Sequence, residues 1–102
     1  MAKLIYDPDA LEEFCSENDI SFLGLFGSFP RDEDVEASDV DLLVKFGKPK
    51  GFFDLVEIEE NISVLLGREV DLVTEGALSP YIRVSVMSDL QPLYDVQKAK
   101  ML

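Results

Sequence analysis

The run from Asp39 to Phe46, Asp-Val-Asp-Leu-Leu-Val-Lys-Phe, constrains this chain more than any other segment. Side chains alternate across a strand, so Val40, Leu42, Val44 and Phe46 share one face, while Asp39, Asp41, Leu43 and Lys45 share the other. The first of these faces is the one predicted to be buried. On the second, two carboxylates about 7 Å apart at Cβ would repel by roughly 2 to 3 kcal/mol at an effective dielectric near 20. A cation between them turns that cost into attraction. Hard divalent ions take carboxylate oxygens, and Mg²⁺ binds through one or two carboxylates together with the phosphates of a substrate. An isolated Asp-x-Asp in a chain with 21 Asp and Glu is ordinarily solvated surface. What surrounds this pair decides between that reading and metal-assisted phosphate chemistry.

The limits set by the whole chain are narrow. Its 102 residues are expected to form a single domain over 1–102, with no second catalytic domain. No apolar run approaches the roughly 18 residues of a membrane span, and the amino terminus carries no apolar stretch of the kind a secretory signal needs. The protein therefore reads as cytoplasmic. One cysteine, Cys15, permits no internal disulfide and is expected to pack within a helix; without histidine, neither the usual zinc sites nor a Ser-His or Cys-His nucleophile can be built. A formal charge of -12 repels phosphate backbones and argues against nucleic acid as a partner. It suits either a basic protein surface as partner or a generally acidic, soluble protein.

The remaining elements follow from periodicity and breakers. A short amphipathic helix is predicted from Pro8 to about Asn18, capped by Asp7, with Leu11, Phe14 and Cys15 inward. Ile20 to Phe26 reads as a buried strand, residues 29 to 38 as a polar loop, and Gly47, Pro49 and Gly51 as a turn region. Phe52 to Leu66 is a helix stopped by Gly67, with Phe52, Leu55, Val56, Ile62, Leu65 and Leu66 as its apolar set. A third strand, Glu69 to Thr74, turns Val70 and Leu72 to one side and Glu69, Asp71 and Val73 to the other. Ser79 is expected to cap a helix running to about Ser88, whose Val86 and Met87 suit either a partner interface or, as expected, packing on the sheet, and Gln91 to Tyr94 is a short edge strand.

Asp71 repeats the pattern of an acid on a strand. Three carboxylates, Asp39, Asp41 and Asp71, would suit two divalent ions about 4 Å apart, one activating an attacking oxygen and the other holding phosphates and leaving group. Ahead of them, separated by ten residues from Asp39, Gly27 and Ser28 follow a buried strand. Glycine lets backbone approach a ligand closely, and Ser28 with adjacent amides can bond phosphate oxygens. Arg31 is the sole base between Gly27 and Asp39, suited either to phosphate or to a surface ion pair with Asp32, Asp34 or Glu36. Competing motifs fail on particular letters. No Walker-type phosphate loop is present. A calcium loop starting at Asp32 would need glycine and glutamate where Ala37 and Leu43 stand. A haloacid-dehalogenase-like phosphatase would place its apolar run before the Asp pair, whereas here Leu42, Leu43 and Val44 come after it.

Gly27-Ser28, the Asp39-Val40-Asp41 pair ten residues on, and a later strand carrying Asp71 resemble the nucleotidyltransferase superfamily that includes DNA polymerase beta and kanamycin nucleotidyltransferase. The small size, the run SDVDLLVKF and the trailing REVDLVTEGALSPYIR and PLYD are most similar to the minimal nucleotidyltransferases, antitoxin partners of HEPN-domain toxin ribonucleases. The resemblance covers roughly residues 20 to 95. It implies an α+β nucleotidyltransferase fold: a small, mixed, twisted sheet of about four strands with flanking helices. It also implies two Mg²⁺ ions and ATP as donor. Carried over by position, Gly27 and Ser28 hold the triphosphate, Asp39 and Asp41 bind both metals, and Asp71 binds the catalytic one and assists deprotonation of the acceptor. That acceptor is a hydroxyl, a tyrosine in the antitoxin members, on the partner toxin. The chain departs from the usual family loop at Pro30 and Asp32, in place of alanine and glycine. Pro30 removes an amide donor and Asp32 adds negative charge near a triphosphate. Neither removes a metal ligand. The resemblance thus leaves two readings: an enzyme that adenylylates the toxin, or an antitoxin that neutralises it by complex formation and nucleotide binding alone. Transfer to a small molecule such as an aminoglycoside would need a further domain to form the substrate pocket.

Overall fold

The computed structural model describes residues 6–27 and 40–97. In chain order these form α1 (Pro8–Glu17), β1 (Ile20–Phe26), β2 (Val40–Phe46), α2 (Phe52–Leu66), β3 (Val70–Thr74), a 3₁₀ turn (Glu75–Ala77), α3 (Pro80–Asp89) and β4 (Gln91–Asp95). The four strands make one sheet in the order β3-β2-β1-β4. β1 pairs antiparallel with both β2 and β4, whereas β2 and β3 run parallel, so the sheet is mixed. Parallel neighbours need a crossover, which α2 supplies. The α+β architecture expected from the sequence is the one observed.

Local signals set the element ends. The Asp7 carboxylate accepts from the Asp9 and Ala10 amides at 3.0 and 3.4 Å, and Pro8 occupies the first turn, where its missing N–H costs nothing. α2 closes on Gly67 at φ +67°, with the Arg68 N–H returning to the Ser63 carbonyl at 3.2 Å. Ser79 heads α3 as expected but does not cap it through its side chain. Its carbonyl instead accepts from the Ile82 and Arg83 amides, at 3.2 and 3.0 Å.

Both faces of the sheet are packed, to different depths. Against α1 and α2 lie Leu23 and Leu25 of β1, Val40, Leu42 and Val44 of β2, and Val70 of β3, closed by Leu11, Cys15, Ile58, Ile62 and Leu66. On the opposite face a smaller cluster of Leu43, Leu78 and Val86 is flanked by Phe22, Phe26, Val73 and Leu90. Leu43 is therefore fully buried although it shares a face with Asp41 and Lys45. Among the described residues, Leu78 and Val86 cover Leu43 in the middle of the strand, and Asp41 and Lys45 on either side of it are half-buried. Val86 packs there as expected, while Met87 remains 40% exposed.

In α2 the buried line runs Ile58, Ile62, Leu66, and Ile58 was absent from the apolar set read off the sequence. Phe52 and Val56, which that set included, are 73% and 37% exposed. Helical geometry accounts for this. Val56 is two residues from Ile58, about 200° around the axis, and Phe52 is six residues away, about 120° off the buried line. Phe52 instead meets Phe53 edge to face, centroids 5.7 Å apart. No helix among the described residues is long and apolar enough to cross a membrane.

Candidate active site

Asp41 and Asp71 are each the second residue of their strand, and the parallel register pairs them directly: Val40 with Val70, Asp41 with Asp71, Leu42 with Leu72. The Val40 N–H donates to the Glu69 carbonyl at 2.9 Å at the start of this ladder. Because Val40, Leu42 and Val70 point into the main core, with Leu72 packed against it, alternation places both aspartates on the opposite face. Neighbouring strands lie about 4.8 Å apart, so the two carboxylates stand side by side. Asp41 is half-buried and Asp71 exposed. The acid-on-a-strand repetition noticed in the sequence is thus a spatial pairing.

Gly27 completes the described part of the site. It follows β1, whose last residue, Phe26, is the antiparallel partner of Asp41. Its φ of +83° lies in the left-handed region that side chains rarely adopt, and a Cβ built there would sit 2.6 Å from Asp41 Oδ2. Glycine is therefore required both by backbone conformation and by the carboxylate beside it. The sequence suggested glycine here for close approach to a ligand; the left-handed backbone and the contact with Asp41 follow only from the fold.

Asp39, Ser28 and Arg31, and likewise Pro30 and Asp32, lie outside the described residues. Among the described residues no group of three or more His, Cys, Asp or Glu is placed to hold a metal ion. The described site offers two carboxylates, both hard oxygen donors of the kind Mg²⁺ takes.

The basic residue nearest in sequence on this face, Lys45, is engaged elsewhere. It lies four residues from Asp41, about 13 Å along the strand. Its ammonium is 3.4 Å from Glu75 and 5.4 Å from the centroid of the Phe22 ring. Glu75 is also tied to Arg83, whose guanidinium donates to the Glu75 carbonyl at 3.1 Å. These contacts fix the 3₁₀ turn and the start of α3 to the sheet. An open cleft of about 410 Å³, lined by Phe46, Lys48, Lys50, Leu55 and Thr74, lies at the far end of β2, away from the carboxylates. Its lysines face Asp19, at 3.9 Å for Lys48 and 3.0 Å for Lys50.

The mixed sheet with its parallel β2–β3 pair is of the nucleotidyltransferase class by comparison with known proteins. The chain belongs to the nucleotidyltransferase domain family, which matches residues 8–93. MJ0128 of Methanocaldococcus jannaschii, provisionally named a protein adenylyltransferase, is 42% identical over 72 residues, covering 70% of this chain and 74% of that protein. The protein adenylyltransferase MntA of Thermococcus cleftensis is 40% identical over 68 residues, 67% of this chain and 69% of MntA. A solved structure provisionally described as a minimal nucleotidyltransferase superposes with a TM-score of 0.71 at 33% identity, covering 83% of this chain and 87% of that one. The same fold occurs in a toxin–antitoxin structure with AMP-PNP, TM-score 0.72 at 20% identity over 91% and 77% of the two chains. It occurs again in a complex of tri-AMPylated HEPN toxin with MNT antitoxin from Shewanella oneidensis, TM-score 0.64 at 19% identity over 92% and 74%. The resemblance to minimal nucleotidyltransferases drawn from the residues is borne out.

Proposed function

We propose that this protein is a Mg²⁺-dependent protein adenylyltransferase and antitoxin. In this reading it moves AMP from ATP to a tyrosine hydroxyl of a HEPN ribonuclease toxin in the cytoplasm and so neutralises the toxin. The observation that carries the reading is the register pairing of Asp41 with Asp71 beside Gly27. The 40% identity to the protein adenylyltransferase MntA supports the class of acceptor.

The chain's own residues divide the work. Asp39 and Asp41 would hold two Mg²⁺ ions, with Asp71 joining them at the catalytic one; bound there, the ions would supply charge neutralisation for the phosphates and a lowered pKa for the acceptor hydroxyl. Gly27 brings backbone amides up to the triphosphate, and Ser28 and Arg31 bond its oxygens. Asp71, at the exposed edge of the pair, receives the proton of the acceptor hydroxyl as its oxygen bonds to the α-phosphorus of ATP. The bond from that phosphorus to the bridging oxygen breaks, and pyrophosphate leaves with the electron pair. Little covalent chemistry is asked of the protein, so positioning and electrostatics supply most of the rate.

Pro30 and Asp32 favour a second reading, neutralisation by complex formation alone, because both weaken the expected hold on a triphosphate. One experiment separates the two. The protein is incubated with α-labelled ATP, Mg²⁺ and the toxin encoded beside it, in parallel with the Asp39→Asn, Asp41→Asn double variant. Label on the toxin that disappears with the double variant supports transfer. An unlabelled toxin that both proteins still inhibit supports binding alone.

A further inference from the structure

β3 lies at one edge of the described sheet, and edge strands ordinarily leave their outward amides to water. The Val40 bond to the Glu69 carbonyl sets the phase of the parallel ladder. Residues 69, 71 and 73 turn their backbone groups toward β2, and residues 70, 72 and 74 turn theirs away. The two outward amides that flank Asp71 are both taken up by side chains of α2. The Val70 N–H donates to Ser63 Oγ at 3.1 Å, and the Leu72 N–H donates to Glu59 Oε2 at 2.9 Å. The Ser63 hydroxyl in turn donates to the Glu59 carbonyl at 2.9 Å, so it is satisfied in both directions. Glu59 and Ser63 are four residues apart and share one side of the helix.

The geometry points to Glu59 and Ser63 as positioning residues that lock β3 in register and so hold the Asp71 carboxylate opposite Asp41. A slip of one residue would exchange the faces of Val70, Asp71 and Leu72, sending the carboxylate toward the main core. Apolar packing resists such a slip through Val70 and Leu72 on one face and Val73 on the other, but the strand is only five residues long and pairs on one side alone. The clasp supplies a further index from outside the sheet, one bond on each side of Asp71. In this role both residues act through Asp71, by their bonds to the amides on either side of it. The proposal rests on the reading that Asp71 serves the transfer site.

The test uses the full chain and four variants: Glu59→Ala, Glu59→Gln, Ser63→Ala and Ser63→Thr. Three quantities are read: amide exchange at Val70 and Leu72 by NMR, Mn²⁺ affinity by electron paramagnetic resonance, and kcat and KM for AMP transfer. Loss of the Glu59 acceptor should speed Leu72 exchange at least about tenfold while Leu23 in β1 stays protected. Mn²⁺ affinity and kcat should fall about tenfold, as they do when a residue that orients a ligand is removed, with KM for ATP changed less than about twofold. Glu59→Gln keeps an acceptor oxygen and should restore all three. Ser63→Ala should do the same at Val70, with Ser63→Thr restoring it, which keeps the test alive should Glu59→Ala not fold. The proposal is overturned if Leu72 stays protected in Glu59→Ala, if protection is lost while kcat and Mn²⁺ affinity hold, or if Glu59→Gln behaves like Glu59→Ala. A wild-type chain that neither binds Mn²⁺ nor transfers AMP overturns the functional reading and the positioning role together. The exchange rates still report the clasp by itself, so the two failures are told apart.

Discussion

Asp41 and Asp71 face each other across the parallel β2–β3 pair, second residue to second residue, on the sheet face that also carries the Leu43 cluster. The relationship is a product of topology. The crossover through α2 returns the chain parallel to β2, and alternation then puts both carboxylates on one side. Gly27 enters through the other neighbour of β2 and presses against the same carboxylate.

Substituting Gly27 by alanine should damage both conformation and site. A side chain at φ +83° costs about 1 to 2 kcal/mol, and the new Cβ must displace the Asp41 carboxylate. Chemical denaturation should show a loss of that size, and AMP transfer should fall by at least about tenfold, because Asp41 would no longer be held in place. Retained activity in a destabilised Gly27→Ala protein would break the link between the two residues.

Leu43→Ala should destabilise the protein by about 2 to 5 kcal/mol, since it empties a fully buried position between the sheet and α3. A urea titration beside Leu42→Ala checks this, and the two should cost comparable amounts although they face opposite sides of the sheet.

Leu43 also marks where the sequence stops being readable. Strand alternation predicted the faces of β2 and β3 correctly, and Gly67 and Asp7 announced helix ends through local chemistry. The second cover over Leu43 depends on where α3 comes to rest, which no local period encodes. In α2 the apolar residues outnumber those the sheet can cover, so Phe52 and Val56 fit a helical pattern and still remain outside. For the site, the acid on each strand was visible, but that Asp41 and Asp71 are register partners, and that Gly27 abuts Asp41, required the pairing itself. The expectations for Asp39, Ser28 and Arg31 fall outside the described residues.

Asp19 should give the fold a stabilising contribution that disappears in acid. It follows α1 at φ +59°, and its carboxyl is held below the usual carboxylate range, first by the hydrogen bond from Lys50 and further by the charges of Lys48 and Lys50, with desolvation acting the other way. A depressed folded-state pKa stabilises the protein above the unfolded value near pH 4, and that stabilisation is lost as the pH falls through the lower folded value. Asparagine tolerates the same backbone region. The melting temperature of Asp19→Asn should thus lie below wild type between about pH 5 and 7, and the difference should close as the pH drops below about 4.

Cys15 should be inert in the native state. It is completely buried within α1, and burial pushes its thiol up to about 12, so almost no thiolate exists at neutral pH. A thiol-disulfide reagent should react with it only on the timescale of unfolding, and rapid stoichiometric reaction in native buffer would contradict the packing described for α1.

The central claim is that the register-paired aspartates carry AMP transfer to a protein hydroxyl, and intact-mass measurement of the neighbouring toxin after incubation with ATP and Mg²⁺ tests it most directly. With the wild-type chain the toxin should gain the mass of one or more AMP groups. With Asp41→Asn or Asp71→Asn the rate of that gain should fall at least about a hundredfold, while the Asp71→Asn protein, altered at an exposed position, keeps its stability within about 0.5 kcal/mol. A toxin whose mass is unchanged by the wild-type chain, or is increased equally by the folded asparagine variants, would contradict it.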